Sequence, residues 1–248
     1  IIMQQAIMKL APNTLDFKNI RRLRQKRNVQ TVYRSITDND MVSFNKNINP
    51  KELSRTLEDL EMTLEQLITH VNTAGHVSRL LLSRTLAKKA SRQGSKDETE
   101  QLEVCNSISK QCGISITNLS VTALRPTKDG QIVSKQEMKE KSIPKDCCLK
   151  SFDGEITGKM TGYVAAKVAY GSGGHQDNVF EEMDTMAEWW KTFKSDTQDV
   201  LVVLIDTDLT VKFDRLKEKY NDVSNVMVYN HTDFQRYIID TYYNVDST

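Results

Sequence analysis

The sequence predicts an α/β protein: a mixed β-sheet flanked by helices, preceded by an N-terminal helical domain. Three observations carry that reading. Val200-Leu-Val-Val-Leu-Ile205 is an uninterrupted apolar run, the pattern of a strand covered on both faces. Residues 147–156 and 161–170 read as neighbouring strands joined at Gly158-Lys-Met160, and an amphipathic helix follows them. Residues 1–93, in contrast, show mostly helical spacing.

Taken in order, Asn49-Pro50 starts a helix that runs through Leu53, Leu57, Leu60, Leu64, Leu67 and Ile68, one apolar stripe at spacings of three and four. A second helix is expected over residues 74–90, with Val77, Leu80, Leu81 and Leu82 alongside Arg79, Arg84, Lys88 and Lys89. Gly94-Ser95 marks the seam between a first domain, residues 1–93, and a second, residues 94–248. Beyond it, residues 97–111 read as a helix stopped at Gly113, residues 114–124 as β-rich, and 126–130 as a turn. Ser134-Lys-Gln-Glu137 offers a capping box for a short helix. After the two strands, residues 177–193 form a helix with Val179, Phe180, Met183, Met186, Ala187 and Trp190 on one side. A helix near 212–220, a strand at 226–229 and a last helix from Thr232 close the pass.

Composition sets the broad class. With 248 residues, 38% hydrophobic and 27% charged, the chain can bury a substantial core and is too apolar for a disordered protein. A net charge of +1 argues against wholesale coating of nucleic acid, although a basic face can hide within a balanced total. No apolar run approaches the roughly 20 residues of a membrane span, so no membrane partner is expected. The start, Ile1-Ile-Met-Gln-Gln, lacks a signal-peptide pattern. The four cysteines have neither disulfide-scaffold nor zinc spacing, which points to a reduced, cytoplasmic setting.

The chemistry concentrates in Lys150-Ser-Phe-Asp153, Gly162-Tyr-Val-Ala-Ala-Lys167 and Gly171-Ser-Gly-Gly-His-Gln-Asp-Asn178. Strand alternation puts Tyr163, Ala165 and Lys167 on one face. A lysine entering a helix-covered layer needs a carboxylate partner, and Asp153 on the preceding strand is the natural one. The glycines after Lys167 let backbone approach a ligand, and the helix N-terminus behind them favours phosphate. Asp206-Thr-Asp208 reads as ordinary strand-end acids, Trp189-Trp190 as core packing, and His231 as a cap of the last helix.

This arrangement resembles the PD-(D/E)XK nucleases, particularly the type II restriction endonucleases, over about residues 95–230. Their core order, α-β-β-β-α-β, is similar to the order expected here. The resemblance implies a restriction-endonuclease-like sheet, Mg²⁺ as cofactor, double-stranded DNA as substrate, and a homodimer if the target is palindromic. It implies that Asp153 is the metal ligand, Ala166 supplies a carbonyl ligand, and Lys167 is the catalytic lysine. Ala165 stands where the family carries an acid. Two accounts of that gap are open. Alanine beside alanine reads as truncation of an acid in a catalytically dead variant, the preferred account. Alternatively the acid has migrated, with Glu181 and Glu182 on the following helix, or Glu98 on the earlier one, as replacements. Expected DNA contacts are Gly173, Gly174, His175, Gln176 and Asn178 in the loop, and Arg21, Arg22, Arg24, Lys88 and Lys89 in the first domain. The expected activity is site-specific DNA cleavage. The alternatives are a non-catalytic DNA-binding module of the same fold and a repair or viral nuclease.

Overall fold

The computed structural model describes residues 10–119, 124–170 and 177–243. The chain forms two compact units: Asp16–Gly94, and Ser95 onward together with the residues up to Leu15. Residues 10–15 therefore belong with the second unit, not with the helical one. Asn13 and Gln235 exchange hydrogen bonds there, Asn13 N–H to Oε1 at 2.8 Å and Nε2–H to the Asn13 carbonyl at 2.9 Å.

The first unit is five helices: α1 (Phe17–Thr37), α2 (Met41–Asn47), α3 (Pro50–Leu60), α4 (Leu64–Ala74) and α5 (His76–Leu86). Val32, Ile36, Phe44, Ile48, Leu67, Val71, Leu82 and Leu86 make its core. The single helix expected from Pro50 to Ile68 is two. Glu61 turns left-handed (φ 52°), and Thr63 with Gln66 forms a capping box that restarts the chain as α4. The apolar spacing continues across this corner because both helices face the same core, so periodicity alone cannot register the break. Likewise Gly75 (φ 92°) delays the next helix to His76.

The second unit centres on a five-stranded mixed sheet. It contains β1 (Ile114–Asn118), β2 (Leu124–Pro126), β3 (Ile132–Ser134), β4 (Gly154–Gly158), β5 (Gly162–Ala169), β6 (Val200–Thr207) and β7 (Val226–Tyr229). The main sheet runs in the order β1-β4-β5-β6-β7, antiparallel through β5 and parallel from β5 to β7, while β2 and β3 form a separate hairpin. The helices are α6 (Gly94–Ser109), α7 (Lys135–Glu140), α8 (Asp177–Phe193), α9 (Thr210–Lys219) and α10 (His231–Ile238).

Strand β6 explains the layering. Leu201, Val203 and Ile205 enter one apolar cluster with Met183, Met186 and Trp190 of α8 and Phe213 of α9. Val200, Val202 and Leu204 enter the other with Leu102 and Cys105 of α6 and Phe234 of α10. A helix layer thus covers each face, which is why β6 carries no polar residue before Asp206. Trp189 and Trp190 are both buried in the α8 layer. At the head of β5, Gly162 (φ 146°) lies against the Val200 carbonyl, which a Cβ would strike, so the β4-to-β5 turn admits no side chain there. Among the described residues no helix is long and apolar enough to cross a membrane.

Candidate active site

The site forms where β4 stops covering β5. Pairing between them runs only from Gly154–Val164 to Ile156–Gly162, so among the described residues β5 has no β4 partner beyond Val164. The strand expected over 147–156 begins only at Gly154. Residues 145–147 make a 3-10 turn, and the segment after it runs beside β2, with Leu149 N–H to the Pro126 carbonyl and Phe152 N–H to the Leu124 carbonyl. Asp153 is thus the pivot between hairpin and sheet. Its N–H donates to the Val164 carbonyl at 2.8 Å, and its Oδ2 accepts the Ala166 N–H, also at 2.8 Å. The carboxylate takes the place of the missing ladder partner.

Past that pivot, Lys167 extends into the gap. Its Nζ lies 3.1 Å from Glu98 Oε1 of α6 and 3.6 Å from Glu182 Oε1 of α8, and all three side chains are between 18% and 25% exposed. Lys150 Nζ stands 3.9 Å from the other oxygen of Glu182. Asp153, expected as the direct partner of Lys167, acts instead through space, and the close contacts come from the two helices. Three carboxylates and two ammonium groups therefore converge where β4 leaves β5. The two replacement acids that approach Lys167 are Glu98 and Glu182. Glu181 points elsewhere, into a groove with Phe180, Asp184, Lys212 and Arg215 on the outer side of α8. Ala165 is buried in the α8-facing apolar cluster.

Charge in this half-buried edge has measurable consequences. Burial raises Asp153 to about 6 despite the attraction of Lys167 and the Ala166 N–H, and Glu98 and Glu182 push in the same direction. Burial alone pulls Lys167 down, but Asp153, Glu98 and Glu182 together outweigh it and hold the ammonium above the usual lysine range. Lys167 is therefore cationic at neutral pH and cannot serve as a proton acceptor there. Because the folded-state value of Asp153 lies above its unfolded value, its contribution to stability is complete below about pH 4 and is lost as pH rises through 6. We expect Asp153→Asn to melt like the parent near pH 4 and above it at pH 8, without divalent ions. Thermal midpoints across that range check this, and a parent that melts higher than the variant at pH 8 contradicts it.

Mg²⁺ can be tested against the donors present. Asp153, Glu98 and Glu182 offer only oxygen, the donor a hard divalent cation takes, and exceed in charge the lysine they surround. The set fits in kind. As placed, the acids are arranged around Nζ, and among the described residues no three His, Cys, Asp or Glu side chains are grouped to close on an ion. The methyl of Ala165 supplies nothing.

A second cluster lies behind the first and was not legible as such. Asp206, taken as a strand-end acid, is 4% exposed. Its Oδ2 accepts from Gln101 Nε2 at 2.6 Å, and its Oδ1 faces His231 Nδ1 at 2.7 Å. His231 Nε2 accepts the Leu15 N–H at 2.9 Å, so the ring proton sits on Nδ1 and is donated to Asp206. The cap of α10 is Asn230, whose side chain accepts the Asp233 N–H; His231 is the first helical residue and serves this network instead. Gln101 also approaches the Lys167 carbonyl at 3.5 Å, so α6 presents Glu98 to the lysine head and Gln101 to its backbone. Glu98 and Gln101 lie three apart on α6, but that helix is mostly polar, so no sequence signal sets Gln101 apart.

Of the expected DNA contacts, Gly173, Gly174, His175 and Gln176 lie outside the described residues. Asn178 is exposed in the first turn of α8. Arg22, Lys88 and Lys89 are exposed and Arg21 is half-buried. Arg24 is a correction: it is only 4% exposed, on the buried side of α1, and is withdrawn from contact with a nucleic-acid backbone. No protein-family model, no curated protein and no solved structure matches this chain.

Proposed function

We propose that this chain is a Mg²⁺-dependent, site-specific endodeoxyribonuclease of the type II restriction class, with a restriction-endonuclease-like core. The observation that carries the reading is the convergence of Glu182 and Glu98 on Lys167 beside Asp153, where β4 leaves β5. An acid absent at Ala165 is thereby replaced from two helices, which favours migration over truncation. The element order α6-β1-β4-β5-α8-β6 supports the fold assignment. Asp153 and Glu182 would hold the cation, with Glu98 as the further acid. A bound Mg²⁺ supplies polarisation of the scissile phosphate and a more acidic water.

The remaining work falls to the chain itself. Lys167, held protonated, donates hydrogen bonds to the phosphate oxygens or to the attacking water and stabilises the negative charge that develops in line. Glu98 and Glu182 clamp the ammonium from two sides, so its position is set before substrate arrives. Lys150 at the mouth adds a second positive charge within reach of the same phosphate. Cleavage leaves a 5′ phosphate, and a palindromic target is read by a two-fold homodimer.

The test is incubation with long DNAs of varied sequence, with Mg²⁺ or with EDTA. Discrete fragments are expected only with Mg²⁺, and Glu182→Gln is expected to lower their rate by about 10²-fold or more. Tight duplex binding with no cutting in Mg²⁺ or Mn²⁺ would instead mark a DNA-binding module without catalysis.

A further inference from the structure

The charge of +1 conceals a segregation between the two units. Residues 16–94 hold fifteen lysines and arginines against eight acids, a net of +7, which leaves −6 on the rest of the chain. Within the helical unit the excess is concentrated on α1, whose 21 residues include seven cations and no acid. Lys18, Arg22, Lys26, Arg27 and Arg34 are all exposed. Lys88 and Lys89 join them, because the loop that carries them is tied to α1. Asn28 Nδ2 donates to the Lys88 carbonyl at 2.8 Å, and the Ala90 N–H donates to Gln25 Oε1 at 2.8 Å.

An ordinary solvated helix mixes its charges. Here Arg22 and Lys26 stand four residues apart, an arrangement that costs a few tenths of a kcal/mol per like-charged pair. Exposed cations gathered on a helix that carries no acid complement a partner's negative charge. The spacing is about 6 Å per four residues along a rod about 30 Å long. Of the large hydrophobic residues on α1 only Leu23 is exposed, at 44%, so the helix has no apolar face to lay into a lipid surface.

We propose that the exposed face of α1, with Lys88 and Lys89, is a docking surface for the phosphate backbone of duplex nucleic acid, independent of base sequence and of divalent ions. It lies on a different unit from the Asp153–Lys167 site and includes Lys26, Arg27 and Arg34. It rests on the nuclease reading only in that duplex DNA is the shared partner, and the two fail separately: one in cleavage with Mg²⁺, the other in binding without it.

The experiment measures binding of the full chain to a 30-base-pair duplex of arbitrary sequence in about 1 mM EDTA over a series of salt concentrations. Replacing Lys26, Arg27, Arg34 and Lys89 together by Gln is expected to reduce the slope of log K against log salt by about three to four, and to weaken binding about 100-fold or more at low salt. A control replaces the exposed Lys51, Lys110, Lys139 and Lys145 by Gln, the same charge change placed elsewhere, and is expected to bind close to the parent. An unchanged slope in the first variant overturns the proposal. So does equal weakening in both, which reduces the effect to net charge, and so does binding to anionic phospholipid vesicles with none to the duplex.

Discussion

Lys167→Met is expected to slow DNA cleavage by about 10² to 10⁴-fold, the scale lost when a positioned charge is removed from a transition state. The same substitution alters folding in a way that depends on pH. Without the ammonium, Asp153 loses the attraction that partly offsets its burial and is harder still to ionise. Acids whose folded-state values are raised give up stability as pH rises through those values. The Met variant should therefore be most destabilised near pH 8 and approach the parent toward pH 5. Lys167→Arg, which retains the charge with a different reach, is expected to restore folding at pH 8 while recovering little cleavage, since a guanidinium presents its donors in another geometry. Cleavage rates at saturating DNA and urea midpoints at both pH values separate the two roles. A Met variant that cuts at the parent's rate would remove Lys167 from the chemistry.

Ala165→Glu is expected to destabilise the protein by about 4 kcal/mol or more, and not to restore a lost activity. Ala165 is 1% exposed within the cluster of Phe152, Phe180, Met183, Met186 and Trp190. Four added heavy atoms overpack such a site by about 1–3 kcal/mol, and a carboxylate there must either desolvate or stay protonated. Lys167, two residues along the same strand face, offsets part of this, but it is already engaged by Glu98 and Glu182. Against a typical total of about 5–15 kcal/mol, the loss is visible as a large drop in the urea midpoint. Should the glutamate variant hold its midpoint and cut DNA faster than the parent, truncation would be the right account of Ala165 and migration the wrong one.

Much of the sheet unit was legible because its elements carry strong local signals. The uninterrupted apolar run of β6, the spacing of α8 and the Ser134–Glu137 capping box all correspond to elements of the structure. The site was legible in part. Asp153 and Lys167 could be singled out from one short stretch, but Glu98 reaches Lys167 across 69 residues of chain, and Gln101 reaches Asp206 across 105. No spacing rule connects positions so far apart. The choice between Glu181 and Glu182 was equally closed to the sequence, since adjacent helical residues differ by about 100° in direction and only the packing of α8 decides which faces the sheet. Arg24 failed for the complementary reason: a basic run shows charge, while the phase of the helix decides which of its members is buried.

The Asn13–Gln235 and Leu15–His231 bonds span 222 and 216 residues, and this separation orders events on the ribosome. The helical unit's apolar cluster is drawn from residues between Val29 and Ala87, so it can consolidate while the strands of the sheet are still being synthesised. Asn13 and Leu15 must wait, their backbone donors served by water, until His231 and Gln235 have emerged. Closure of the larger unit is thereby a late, non-local step, in which residues 13–15 are fastened to α10.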